Sequence, residues 1–320
     1  MASALEASAA ARIDAPPNPW VGALVVDAEG VVRGLGVTRP AGGPHAEVVA
    51  LAEAGPAARG ATLVVTLEPC AHQGRTPPCT EAIVAAGIAR VVLGVRDPDA
   101  HVDGRGVAAL RAAGVAVEEG VLAGPVSRAL APYLWHRRTG RPWIVLKVAA
   151  TLDGVVAMAD RSSQWITGDA ARQDVQRLRA ESQAIVVGAG TVRADDPALT
   201  ARLPGRTLEP LRVVLGTAPA GARVRPCWER SAPLEDVVAE LGRHGVIQAM
   251  VEGGPSTASA FVAAGLVNQV VWYVAAALAG SQRTLGALAD LSTATIAQLR
   301  RWKLTSVEQL GDDLRIEMEE

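Results

Sequence analysis

The chain has 320 residues, 49% of them hydrophobic and 20% charged, with a formal net charge of −2. That length suits about two domains, and the near-neutral balance excludes the basic footprint of an obligatory nucleic-acid partner. Three cysteines make no disulfide framework in so long a chain, the N-terminus lacks the basic and apolar regions of a secretory signal, and the most apolar stretch, 270–280, is too short to span a bilayer, so a cytoplasmic protein is expected.

Short β-branched runs alternate with Ala-rich segments. In the first half, strands are expected at "VGALVV" (21–26), "TLVVT" (62–66), "RVVLGV" (90–95) and "VAVEE" (115–119), with helices starting near His45, Cys79, Gly106 and Pro125. After the basic, turn-forming "HRRTGRP" (136–142) the pattern restarts with "WIVLKVA" (143–149), which sets a domain boundary between residues 141 and 142. A helix over 169–180, strands at 184–189 and 211–216, a helix at 234–243, a strand at 246–254, a helix at 256–264 and a strand at 267–275 follow. Two further strands, "WKLTSVEQL" and "DDLRIEMEE", close the chain. Continuous apolar strands between helices predict α/β domains with largely buried sheets covered by helices.

Within this frame, "PHAEVVAL" and "TLEPCAHQGRTPPCTEA" hold His45, Glu47, Cys70 and Cys79. One imidazole and two thiolates are a three-ligand zinc set, which leaves a position for a water whose pKa the metal lowers. Glu47 lies two residues past His45, off its helix face, and so is read as a proton shuttle rather than a ligand. A histidine-x-glutamate followed by proline-cysteine is the signature of zinc nucleobase deaminases. Taken singly, each residue also fits a structural role, since buried free cysteines are commonly inert; only the ordered set points to the metal. Cys227 has no such company and is read as structural.

Eight residues, "AHQGRTPP", separate the two cysteines where two are usual. With "PNPWVGALVV" and "PHAEVVAL", this insert resembles the deaminase domain of the bifunctional riboflavin-biosynthesis deaminase/reductase family, and implies a cytidine-deaminase-like three-layer domain with a central sheet. The resemblance implies a phosphorylated diaminopyrimidinone substrate, with the insert's His72 and Arg75 and the upstream Asn18 contacting it. Asn18 and Lys147 also stand out by composition, because the chain has only two asparagines and two lysines. The loop "DPDAHVDGRG" (97–106) departs from the family pattern, with Asp99 and Ala100 where asparagine and proline are expected.

Read from its residues, the second half is an α/β domain with two loops of interest, "VGAGTVRADDPALTAR" (187–202) and "VEGGPSTASA" (251–260). In the second, a strand, a diglycine and a helix start make either a tight turn or a diphosphate cradle. With "LKVAATLDGVVA" and "SSQWITG", these loops resemble the reductase domain of the same family, and imply a dihydrofolate-reductase-like fold that uses NADPH. By that resemblance Ala149, Trp165, Thr191, Asp195, Thr217, Gly254, Pro255, Ser256, Thr257, Ala258, Ser259 and Ala260 line the NADPH site. Ser163, Arg179, Leu199, Arg202 and Glu252 face the substrate, the two arginines suiting its phosphate. Lys147 and Asp153 match by position, with roles left open. Here too there is a departure: Gly216 precedes Thr217 where the family often has aspartate.

The expected protein is a zinc deaminase (1–141) fused to an NADPH-dependent reductase (142–320). It acts on a small phosphorylated pyrimidine, without nucleic acid or membrane, as a homo-oligomer assembled through the reductase domain. Two rivals make different demands. A nucleic-acid base deaminase needs a basic stripe with stacking aromatics, whereas only 3% of this chain is aromatic. A silent homologue needs damage to the His–Glu–Cys–Cys set, and the set is whole.

Overall fold

Val91, Val92 and Leu93 are buried at the centre of one strand, and similar apolar runs mark the other inner strands of the unit Met1–Gly140. The structure, a computed structural model, describes all residues except 75, 161, 281–283, 290 and 292. In chain order this unit contains α1 (Ala2–Ser8), β1 (Gly22–Val26), β2 (Val32–Val37), α2 (Ala46–Ala54), β3 (Thr62–Leu67), α3 (Cys79–Ala85), β4 (Arg90–Val95), α4 (Arg105–Ala112), β5 (Ala116–Glu119), α5 (Ala123–Ala129) and α6 (Ala131–Thr139). Its sheet runs β2-β1-β3-β4-β5, with β1 antiparallel to both neighbours and β3, β4 and β5 parallel.

Helices cover both faces of this sheet. Neighbouring strand residues point to opposite sides; Gly22 faces α1, while Gly36, paired with Ala23, faces α2. On β2 the glycines admit the helix backbone: an ideal Cβ would lie 2.1 Å from the Ala50 carbonyl oxygen at Gly34 and 2.0 Å from that of Ala46 at Gly36. α2, which carries Glu47 and starts beside His45, therefore rests directly on the strand.

The second unit spans Arg141–Glu320, so the division falls one residue before the boundary expected from sequence. It adds β6 (Trp143–Thr151), β7 (Val155–Ala157), α7 (Asp169–Glu181), β8 (Ala184–Gly188), α8 (Ala189–Asp195), β9 (Ala201–Leu203), β10 (Arg206–Leu208), β11 (Leu211–Leu215), β12 (Trp228–Arg230), α9 (Leu234–Arg243), β13 (Gln248–Val251), α10 (Pro255–Ala263), β14 (Gln269–Ala275), β15 (Leu285–Gly286), β16 (Lys303–Leu310) and β17 (Asp313–Glu319). The main sheet runs β12-β11-β8-β13-β6-β14-β17-β16; it is parallel from β12 to β14, and β17 and β16 join antiparallel. Alternation along β6 sends Ile144, Leu146 and Val148 into one core and Val145 into another, so this sheet is buried on both faces.

Candidate active sites

His45 immediately precedes α2, Cys70 follows the end of β3, and Cys79 opens α3. The folding of those three elements brings one imidazole nitrogen and two sulfurs within 4.8 Å of one another. His45 Nδ1 lies 3.2 Å from Cys79 Sγ and 3.7 Å from Cys70 Sγ. Two soft donors and an imidazole at this spacing fit zinc. The backbone N–H of Cys79 donates to Cys70 Sγ at 3.4 Å. Hydrogen bonding from Cys79 overcomes burial and, with His45, holds the Cys70 thiol well below its usual range. The same pairing and burial push Cys79 up. Hydrogen bonding to Cys70 raises His45 against its burial.

Glu47, in the first turn of α2, is only 4% exposed, and burial raises its carboxyl against the pull of His45. It lines a cavity of about 330 Å³ together with Asn18, His45, Cys70 and His72. Those five residues were singled out by sequence, and the fold brings them together. Arg75 lies outside the described residues. The insert also contributes Thr76, a residue the sequence reading passed over. Its Oγ1 lies 3.5 Å from His45 Nε2, where a hydroxyl helps to fix the ring's orientation.

The far wall of the cavity carries Asp97, Asp99, Tyr133 and Arg137, none of which the sequence reading placed there. Tyr133 Oη donates to Asp97 Oδ2 at 2.9 Å. Arg137 Nε lies 3.5 Å from Asp99 Oδ2, and its Nη2 donates to the Pro17 carbonyl at 3.3 Å. The departure at Asp99 thus has a nearby cation.

In the second unit, Glu252 follows β13 and meets two cations. Arg179 reaches it with a fork, Nε to Oε2 and Nη2 to Oε1, both at 2.9 Å, while Lys147 Nζ lies 3.4 Å from Oε1. Burial would raise the Glu252 carboxyl, but Arg179 and Lys147 prevail and hold it down to about 2. Arg179 also donates from Nη1 to the Thr200 carbonyl at 3.1 Å. Its fork is committed within the protein, whereas the exposed Arg202 has only its backbone N–H on Gln176 among the bonds described.

Thr191 Oγ1 accepts the Gly254 N–H at 3.1 Å, joining α8 to the N-cap of α10; residues 254–260 form that cap and the first two turns. Ser163 Oγ donates to Asp195 Oδ1 at 3.5 Å. Ala149 is on β6; Trp165 is 69% exposed under the Arg172 guanidinium; Thr217 is exposed after Gly216. Leu199 is buried. Its side chain is 2% exposed and packs in the core with Val175 and Leu178, because a leucine side chain is more stable there than in water. Asp153 gains a role: its carboxylate accepts the N–H groups of Ala279 and Gly280, at 3.1 and 2.9 Å, and the Thr151 hydroxyl at 2.6 Å. The Thr151 hydroxyl and these amides hold it down to about 2. It ties the loop after β14.

Two family profiles match the chain. One, described as the RibD C-terminal domain, covers residues 142–316, and the other, the cytidine and deoxycytidylate deaminase zinc-binding region, covers residues 1–95. The riboflavin biosynthesis protein RibD of Mycobacterium tuberculosis is 45% identical over 330 residues, covering 99% of this chain and 96% of that one. The structure of Acinetobacter baumannii RibD superposes with a TM-score of 0.92 at 38% identity, covering 99% of this chain and 97% of that one. A Thermotoga maritima diaminohydroxyphosphoribosylaminopyrimidine deaminase/5-amino-6-(5-phosphoribosylamino)uracil reductase superposes at 0.89 with 33% identity, covering 100% of this chain and 97% of that one.

Proposed function

The chain belongs to the RibD family of riboflavin-biosynthesis proteins, and on that premise we propose how its own residues carry two reactions. It is a bifunctional deaminase and reductase. The first reaction is zinc-dependent hydrolysis of 2,5-diamino-6-(5-phosphoribosylamino)pyrimidin-4-one to 5-amino-6-(5-phosphoribosylamino)uracil and ammonia. The second reduces the ribosyl group to ribityl with NADPH. We assign residues 1–141 to the deaminase and 142–320 to the reductase.

The observation that carries the first assignment is the His45–Cys70–Cys79 cluster opening, with Glu47, onto one cavity. His45, Cys70 and Cys79 would hold zinc, which would supply a water of lowered pKa. Glu47 takes the proton from the attacking water and delivers it to the departing amino nitrogen. Asn18 reads the pyrimidine edge through an amide that both donates and accepts; His72 and Arg75 contact the rest of the substrate.

For the reductase, NADPH supplies the hydride, and the protein orients it. The N–H groups opening α10, held by Thr191, receive the diphosphate; Ala149, Trp165, Asp195 and Thr217 complete that side. Ser163 and Arg202 bind the substrate phosphate. Arg179 and Lys147 hold Glu252 toward the ribosyl group.

Mass spectrometry of products from the purified chain, with and without NADPH, tests both assignments. Deamination in either case, with ribityl product only when NADPH is present, is expected. No deamination by zinc-loaded protein would sink the first assignment.

No described helix is long and apolar enough to cross a membrane, and we propose a cytoplasmic homo-oligomer assembled through the reductase. In support, β16 is an edge strand that leaves Leu304 and Val307 exposed, a surface prone to pairing. A monomer mass in sedimentation velocity would overturn the oligomer.

A further inference from the structure

Glu68 is a buried carboxylate to which the deamination chemistry gives no work. It follows β3, two residues before Cys70, and is 4% exposed. Its oxygens accept three backbone N–H groups from residues lying 29, 36 and 39 positions further along the chain. Oε2 accepts from Gly104 at 3.0 Å and Asp97 at 3.4 Å, and Oε1 accepts from Val107 at 3.1 Å. Gly104 is the N-cap of α4 and Val107 its third residue. The carboxylate therefore satisfies two of the N–H groups that a helix start leaves unbonded, at the end where its dipole favours negative charge.

A second, steric contact joins the same two segments. A Cβ at Gly106 would lie 2.0 Å from the Pro69 carbonyl oxygen, so α4 begins flush against the turn that delivers Cys70. Glu68 itself borders the cavity, and the segment it grips carries Asp97 and Asp99, which line it as well.

We propose that Glu68 is a positioning residue of the deaminase: it fixes the 97–107 wall to the Cys70 turn and so sets how tightly the pyrimidine substrate is held. This rests on the deaminase reading above. The ligand cluster has independent support. His45 caps α2 and Cys79 opens α3, and the Cys70 turn is also held by the N–H groups of Cys79 and Thr80, which donate to Cys70 Sγ and its carbonyl. Releasing the wall should therefore weaken substrate binding more than the chemical step. That pattern is a raised KM with kcat preserved.

The test uses the full, zinc-loaded chain carrying Glu68→Gln. Glutamine keeps the volume, but its NH2 replaces one acceptor and faces an N–H donor. The expected result is a deaminase KM raised about tenfold, with kcat within about twofold. Zinc content and the NADPH-dependent reductase rate should equal the parent's. Glu68→Asp, which keeps the charge but shortens its reach, should give a smaller KM rise and guards against a glutamine variant that does not fold.

An unchanged KM in both variants overturns the proposal. A fall in kcat that tracks lost zinc also overturns it, because Glu68 would then be holding the metal site. Should the parent itself fail to deaminate, the deaminase reading fails separately. Hydrogen exchange at Gly104 and Val107 then decides the anchoring: faster exchange in Glu68→Gln supports it, and unchanged exchange refutes it.

Discussion

Glu47 shows how burial and chemistry meet in one side chain. A buried carboxylate whose proton affinity is raised by desolvation is better suited to taking up a proton than an exposed one. Replacing Glu47 with Gln keeps the volume and removes the base. Deaminase kcat should fall about 10²- to 10⁴-fold, with the reductase unaffected; a variant retaining a tenth of the parent rate would exclude Glu47 as the proton carrier. Glu252 makes a different demand. Its folded-state value of about 2 lies below the ordinary 4.5, so the cluster's contribution is fully present above about pH 4.5. It is lost as the pH falls toward 2. The shift corresponds to something on the order of 3 kcal/mol. Acid unfolding of Glu252→Gln, followed by the reductase unit's signal, should show a shallower pH dependence in that window, the rest coming from Asp153 and Asp174, whose carboxyls are also lowered, and a slope equal to the parent's would show that the ion cluster contributes nothing to it. Both residues were identified from sequence. Arg179's commitment to Glu252 was not, because a motif gives residue types and spacing but not which partner a guanidinium finds.

At the scale of elements, the central strands were legible because apolar β-branched runs hardly admit another reading. β2 was not, since "VRGLGV" places two glycines where a strand pattern asks for side chains; their reason lies in α2, out of sight of any local window. α6 was also hidden. Its "HRR" resembles a linker, yet Tyr133 and Arg137 turn to the cavity from that helix. The short β7, β9, β10, β12 and β15 carry too few residues for a periodicity to show. The start of α10 was legible as Gly-Gly followed by Ser/Thr, but its bond to Thr191 was not. Thr191→Val removes the acceptor for the Gly254 N–H. The NADPH KM should rise about fivefold or more, with deamination unchanged. If steady-state kinetics find the same NADPH KM, the opening turn of α10 does not bind the cofactor.

For the whole molecule, each unit has its own sheet and its own buried residues, and the two reactions should respond separately to metal. Chelation should abolish deamination, leave NADPH-dependent reduction in place, and be reversed by zinc. Equal loss of both activities would mean that the metal supports the entire fold. A saturation library grown under selection for vitamin synthesis would report a further dependence. Every missense change at a glycine codon adds a side chain, and at Gly34 or Gly36 it would meet the α2 backbone. These positions should be depleted as severely as Cys70, although neither glycine lines the cavity, because α2 would lift and take His45 and Glu47 with it. The depth of the metal site is encoded in a strand that never touches it.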